Sequence, residues 1–130
     1  MKQQRDTKQR RLVLDIVCAH SDHPSADQIY LDVRMADKKI SRGTVYRNLK
    51  VLVRQGQILH VRLPTTDRYE SRTDMHYHLL CVDCGAICDI PLLYNEKLDK
   101  QASLKTGYII KRHRTIFEGV CPSCSTMKEQ

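Results

Sequence analysis

The chain has 130 residues and a mass of 15.1 kDa, room for one modest core or two very small ones, which excludes a large catalytic barrel or a doubly wound sheet. Hydrophobic residues are 41% and charged ones 28%; no apolar run nears the roughly 20 residues that span a bilayer, and Met1-Lys2-Gln3-Gln4-Arg5 lacks the core of a secretory signal, so a folded cytoplasmic protein is expected. The net charge of +7 is confined to one half: residues 1–72 carry 15 Lys and Arg against 8 Asp and Glu, residues 73–130 carry 7 against 7, as in a chain with one part facing a polyanion and the other doing different work.

The first predicted helix begins near Thr7, where Leu12, Val13, Ile16 and Val17 make one apolar stripe behind Lys8, Arg10 and Arg11. A second opens at Ser25-Ala26-Asp27-Gln28, a capping box entered through Pro24, with Ile29, Tyr30 and Val33 facing inward. The third takes Ser41 as N-cap and runs from Arg42 to Arg54, with Val45, Leu49 and Leu52 on one face. Gly43, Arg47, Lys50 and Arg54 cluster opposite, with Arg42 and Tyr46 beside them.

Gly56 and a hairpin over Gln57–Leu63 and Arg68–Ser71, turning at Pro64-Thr65-Thr66-Asp67, complete a winged helix-turn-helix. A basic helix face alone is ordinarily solvated surface. Three helices, a wing and a one-sided charge point to double-stranded DNA instead. The expected contacts are Tyr46 and Arg47 to bases or phosphates, Arg10, Arg11, Arg42 and Lys50 to the backbone, and a first turn at Gly43 and Thr44 that approaches closely.

Cys81-Val82-Asp83-Cys84 and Cys121-Pro122-Ser123-Cys124 are two CxxC pairs. Together they offer four thiolates, the closed shell of structural zinc. Disulfides and a thioredoxin-type redox pair are the rival readings; a reducing compartment disfavours the first, and two CxxC motifs disfavour the second. A helix-like segment, Leu92–Ser103, lies between the pairs, so the metal would pin the first and last strands of a small core. Upstream, Met75-His76-Tyr77-His78 reads as a strand in which His76 and His78 share a face. That arrangement presents two imidazoles to a metal, or is accidental on a surface. Cys18 and Cys88 read as small buried hydrophobes, and His20 and His60, outside every motif, as surface residues.

The order of five segments is more specific than any one of them. His23-Pro24-Ser25-Ala26-Asp27-Gln28-Ile29-Tyr30, Ile40-Ser41-Arg42-Gly43-Thr44-Val45-Tyr46-Arg47-Asn48-Leu49, Arg68-Tyr69-Glu70, His76-Tyr77-His78-Leu79-Leu80-Cys81-Val82-Asp83-Cys84-Gly85 and Cys121-Pro122-Ser123-Cys124 resemble, together and in order, the ferric uptake regulator (Fur) family over nearly the whole chain. The resemblance implies an α+β protein: an N-terminal winged-helix DNA-binding domain (residues 1–71) and a small C-terminal α/β dimerisation domain (72–130) with the four-cysteine zinc site. It implies a homodimeric, metal-activated repressor rather than an enzyme, reading an inverted repeat. The regulatory ligands it implies are His23, Glu70, His76, His78 and Asp89, which suit Fe(II) or Mn(II), one ion tying the two halves together.

Asp89 and Tyr77 resemble the peroxide-sensing (PerR) branch, where iron-catalysed oxidation adds oxygen to a ligand histidine, here His23 or His76. Glu70 resembles the iron-sensing branch. A further site of some relatives would fall on Met75 or Tyr77, Glu96 and His113. Met75 and Tyr77 are poor ligands, so His113 reads as structural or solvent-facing and no third metal is expected. Lys8 departs from the proline that relatives often carry there. Two readings from other classes are a small metallohydrolase using His76, His78 and Asp89, for which a general base and a substrate cleft are missing, and a zinc-stabilised RNA-binding module.

Overall fold

The computed structural model describes residues 2–129, and side chains for residues 7–126. It divides into two compact units, Met1–Asp74 and Met75–Gln130. Among the described residues no helix is long and apolar enough to cross a membrane.

The first unit holds helices α1 (Lys2–Ala19), α2 (Ala26–Ala36) and α3 (Arg42–Arg54), then strands β1 (Leu59–Val61) and β2 (Arg68–Glu70). Helix α1 starts at Lys2, earlier than its apolar stripe predicts, because Lys, Gln and Arg are good helix formers without any apolar pattern. Val13 and Val17 of α1, Ile29 and Val33 of α2 and Val45, Leu49 and Leu52 of α3 are at most 1% exposed and form one core. At about 1.5–3 kcal/mol for each large apolar side chain fully buried, this cluster is the main adhesive of the unit. Tyr30 is only half-buried, packed at the edge of that core with the Arg42 guanidinium over its ring.

Strands β1 and β2 pair antiparallel, Leu59 opposite Glu70 and Val61 opposite Arg68. They are shorter than the predicted hairpin arms, but they form the expected wing. Gly56 takes φ 73° where the chain leaves α3, a left-handed turn that glycine makes without strain.

The second unit is a three-stranded sheet, β3 (Tyr77–Cys81), β4 (Ile87–Ile90) and β5 (Ile116–Gly119), in the order β4-β3-β5, with helices α4 (Glu96–Thr106) and α5 (Pro122–Glu129). β4 is antiparallel to β3, and β5 returns parallel to it after the α4 crossover. Helix α4 begins four residues later than the Leu92 start predicted from sequence and runs beyond Ser103. Asn95 caps it, accepting from Lys97 N at 3.1 Å, and Gly107 ends it in the left-handed conformation, φ 76°.

Among the described residues, the buried apolar side chains of this unit are Tyr77, Leu80 and Cys81, while Leu93, Leu104 and Ile109 are 94%, 86% and 86% exposed. So small a core needs another source of stability. The α+β class and the winged-helix arrangement expected from the sequence are both present.

Candidate functional site

Helix α3 carries the basic face. Ser41 caps it, its hydroxyl accepting from Thr44 N at 3.1 Å, which leaves the remaining first-turn N–H groups pointing outward. With Val45, Leu49 and Leu52 turned into the core, Arg42, Gly43, Tyr46, Arg47, Lys50 and Arg54 are exposed on the other side. A Cβ on Gly43 would meet nothing within 4 Å, so nothing inside the protein requires glycine there. Arg47 donates to the Thr44 hydroxyl at 3.2 Å.

Asn48 is buried, gives its amide to Thr44 O at 3.0 Å and accepts from Arg10 Nε at 3.2 Å. Arg10 is thus half-buried and ties α1 to α3, whereas Arg11 is exposed and pairs with Asp15 one turn on, at 3.1 Å. Between α3 and the wing, Arg47, Lys50 and Arg54 share an open cleft of about 440 Å³ with His60, Arg62 and Tyr69. Arg62, one residue beyond β1, is missing from the sequence-derived set, although its position two residues after His60 is a signal that both face one side.

The four thiols of the CxxC pairs converge, their sulfurs all within 4.8 Å of one another. Cys84 Sγ and Cys121 Sγ are 3.9 Å apart, too far for a disulfide at about 2.05 Å and close to the roughly 3.8 Å edge of a tetrahedron with 2.3 Å zinc–sulfur bonds. The local chain explains the convergence. Cys81 ends β3, and a tight turn brings Gly85 N to Cys81 O at 2.8 Å and Cys81 N to Ala86 O at 2.9 Å, with Gly85 at φ 78°. The parallel partner β5 sets Gly119 beside Cys81, so Cys121 follows within reach and its N–H donates to Cys81 Sγ at 3.3 Å.

The N–H groups of Cys84 and Cys121 hold the Cys81 thiol down to about 6. Cys124, donating to the Cys121 sulfur and partly withdrawn from water, is pushed up to about 12. Cys84 also rises: the Ala86 N–H favours its thiolate, but the neighbouring Cys81 sulfur and burial outweigh it. Four thiols gathered this closely share one charge poorly among themselves, and a divalent cation held by all four would favour the thiolate form of each.

The histidine and carboxylate residues fall into a group within each unit. In the first, Tyr69 N donates to Pro24 O at 2.9 Å and Ser25 bridges Arg68. The antiparallel register continued by two residues sets His23 opposite Glu70, and His23 Nε2 lies 2.8 Å from Glu70 Oε2 with both side chains buried. Arg68 fixes the loop by donating to His23 O at 3.1 Å. In the second unit His78 faces Asp89 across β3 and β4. His76 Nε2 and His78 Nε2 approach the same oxygen, Asp89 Oδ1, at 3.2 and 3.5 Å. Borderline nitrogens aimed at hard oxygens are a donor set for Fe(II), Mn(II) or Zn(II).

His113 is engaged elsewhere. Its Nε2 accepts from the Tyr77 hydroxyl at 2.8 Å, and its Nδ1 faces Asp99 Oδ1 at 2.7 Å. Tyr94 stacks on its ring at 4.4 Å and donates to the other Asp99 oxygen. Those bonds lower the Asp99 carboxyl below its ordinary range, first through Tyr94 and then through His113. Both ring nitrogens are committed to joining β3, α4 and the approach to β5, which is a structural employment.

Four side chains depart from their expected settings. Cys18 is exposed: the buried stripe of α1 is carried by Val13 and Val17, and Cys18 sits about 100° further round. Cys88 is exposed on β4, a strand at the edge of its sheet. His20, with 17% of its side chain exposed, lies between Asp22 at 2.9 Å and Asp32 at 2.7 Å. His60 pairs with Asp67 at 2.8 Å and stacks on Tyr69. Neither histidine is a simple surface residue.

The model of the ferric uptake regulator family matches residues 1–118 of this chain. The peroxide operon regulator of Bacillus subtilis (strain 168) is 32% identical over 122 residues, 93% of this chain and 84% of the relative. Among solved structures, a peroxide stress regulator from Campylobacter jejuni aligns with a TM-score of 0.77 at 25% identity, over 95% of this chain and 93% of that one. The ferric uptake regulator of Helicobacter pylori, whose structure shows three functional metal binding sites, aligns at 0.72 and 27% identity over 91% and 80%. With a winged helix in one unit and a four-cysteine cluster beside a small sheet in the other, the chain belongs to the ferric uptake regulator family, and is a metal-dependent, DNA-binding transcriptional repressor and not an enzyme.

Proposed function

We propose that this repressor is a cytoplasmic homodimer that reads an inverted-repeat operator with one α3 from each protomer and lets go of it when hydrogen peroxide oxidises a metal-ligating histidine. Zinc on Cys81, Cys84, Cys121 and Cys124 is its structural ion, and residues 1–71 and 72–130 are its DNA-binding and dimerisation domains. The thiol tetrad requires reduced cysteines, which accords with the cytoplasm. The exposed leucines and Ile109 of the second unit accord with burial against a second copy.

Tyr46 and Arg47 contact bases or phosphates. Arg10, Arg11, Arg42 and Lys50 hold the backbone, and Gly43 and Thr44 allow the first turn to come close. Two protomers touching about 6–10 phosphates make affinity fall steeply with salt.

The observation that carries the switch is the pairing of His23 with Glu70 in one unit and of His76 and His78 with Asp89 in the other. Each group alone is a short shell. We assign all five residues to one regulatory ion, which would fix the spacing of the two recognition helices by favouring one arrangement of the units. Fe(II) held by these residues would supply the redox chemistry that cleaves hydrogen peroxide, with the imidazole as the net two-electron donor. The net change on the chain is one oxygen added to the imidazole of His23 or His76, with one water formed per peroxide consumed. An oxidised imidazole is a poorer nitrogen donor, so the shell loosens and repression ends. Relatives named for peroxide response, at this level of identity, support this version.

A second reading, sensing of iron or manganese level without oxidation, is favoured by Glu70, buried against His23. The test is anaerobic operator binding by zinc-loaded protein with Fe(II) or Mn(II), before and after a brief peroxide pulse, followed by peptide mass spectrometry. Loss of binding in the iron form alone, with one oxygen on His23 or His76, is expected. Unchanged binding in both forms would establish the metal-level reading. His23→Ala should lower operator affinity at least tenfold in the presence of metal; unchanged nucleic-acid affinity would indicate a binding module without sensing.

A further inference from the structure

The side chains on which DNA reading rests are held before DNA arrives. Arg42 and Tyr46, one turn apart on α3, both donate to the same atom, Oδ1 of Asp27 on α2. One turn along α2, Tyr30 lies under Arg42, the guanidinium carbon 4.5 Å from the ring centroid. Two residues of α2 thus hold the Arg42 guanidinium, Asp27 by a hydrogen-bonded ion pair and Tyr30 by its ring face, and Asp27 holds the Tyr46 hydroxyl as well.

The clamp lies at the surface: the side chains of Asp27 and Arg42 are 68% and 54% exposed, and Tyr46 is 37% exposed. Asp27 also borders a pocket with Tyr46, Lys50, Thr65 and Thr66, between α2, α3 and the wing turn. An ion pair so exposed adds little to stability. A carboxylate on a face that must meet phosphates weakens attraction to any DNA. A group costly to affinity and nearly neutral for the fold needs another reason to be there.

We propose that Asp27 is a specificity-determining positioning residue for DNA reading. An unclamped arginine swings to the nearest phosphate, which every sequence offers. Held by Asp27 and Tyr30, Arg42 makes its backbone contact only with a phosphate that a duplex seated in register brings to it, and not with whichever phosphate is nearest. Tyr46, whose proton is given to Asp27, keeps its oxygen lone pairs for the amino donors that adenine and cytosine show in the major groove. Asp27 lowers affinity for nonspecific DNA while leaving a selected site nearly unchanged, where the placed Arg42 and Tyr46 offset its charge, and so raises the ratio of specific to nonspecific binding.

This inference rests on the reading of α3 as the DNA-reading element, and the experiment separates the two. The zinc- and manganese-loaded wild-type chain is first used to select duplexes from a randomised pool. Dissociation constants of wild type, Asp27→Asn, Arg42→Ala and the double variant are then measured over a salt series, on a selected duplex and on a scrambled duplex of equal composition. Asp27→Asn should bind the scrambled duplex about 3- to 10-fold more tightly, change the selected duplex by less than about twofold, and steepen the salt slope on scrambled DNA by about one ion per protomer. Arg42→Ala should abolish that gain in the double variant.

Asp27 also stands in the first turn of α2, where a carboxylate complements the helix dipole. A purely structural role would lower the melting temperature and leave ratio and slope unchanged, and that result overturns the proposal. A wild-type protein that enriches no sequence overturns the underlying reading of α3, and this inference with it.

Discussion

His20 joins the end of α1 to α2 through Asp22 and Asp32, and this ties its charge to stability. Partial withdrawal from water lowers its pKa, but hydrogen bonds to Asp32 and Asp22 and their charges outweigh that, and the net shift is upward. A histidine raised in the folded state contributes stability that is complete below its unfolded pKa, about 6.5, and is lost as pH rises through the folded value. His20→Asn should therefore destabilise the protein by about 0.5–1 kcal/mol at pH 5.5 and by clearly less at pH 8.5, read by chemical denaturation of both proteins at the two values. An equal loss at both would mean that packing, not charge, is what His20 provides. Nothing near His20 in sequence announces Asp32, twelve residues on; only the packing of α1 on α2 brings them together. Cys18 shows the same limit: its place beside Val17 suggests burial on the apolar side of α1, but it falls just off the buried stripe and is exposed.

At the scale of elements, caps and turns are local chemistry and were legible. Ser25 and Ser41 accept from the N–H groups of Gln28 and Thr44, as their spacing indicates. Ser41→Ala should cost about 1 kcal/mol of stability, seen as a lower urea midpoint with unchanged slope. It should weaken DNA binding at constant temperature only through the fraying of the first turn of α3, which circular dichroism at low denaturant would reveal. The start of α4 was less legible: the sequence reads as helix-like from Leu92, yet Leu92 and Leu93 are exposed in a loop and Asn95 provides the cap. Strand register was hidden as well. His76 and His78 share a face by alternation alone, but it takes the pairing of His78 with Asp89, and of Ser25 with Arg68, to put a carboxylate against each histidine group.

Across the whole molecule, stability and metal loading are one equilibrium in the second unit. Its buried core is small, and the tetrad that closes β3 against β5 is complete only when all four thiols are ionised. Cys81 is already held near 6 while Cys124 is pushed up to about 12, so zinc binding at neutral pH must expel protons. The apparent zinc affinity should therefore fall as pH is lowered from 8 to 6, with proton release in weakly buffered solution; a pH-independent affinity would mean that the thiols are not the ligands. Cys124→Ser should lower zinc content from one structural ion per chain to a labile fraction and cost about 3–5 kcal/mol of stability, a small part of the roughly 10–16 kcal/mol that such a site contributes in zinc-finger peptides. Elemental analysis and thermal unfolding would measure both.

The sequence by itself determined what depends on near neighbours and on period: three helices and a wing, the charge confined to residues 1–72, the four thiols in two turns, and two histidines on one strand face. Five motifs in order identified the family. What only the tertiary structure decided are the meetings of residues far apart in the chain, because they depend on helix packing and strand register. Asp27 holds Arg42 and Tyr46 from another helix, Arg10 reaches Asn48 across 38 positions, and His113 has both nitrogens committed to Tyr77 and Asp99. Spacing along a chain fixes directions within one element, but only the closing of one element on another fixes which polar group becomes whose partner.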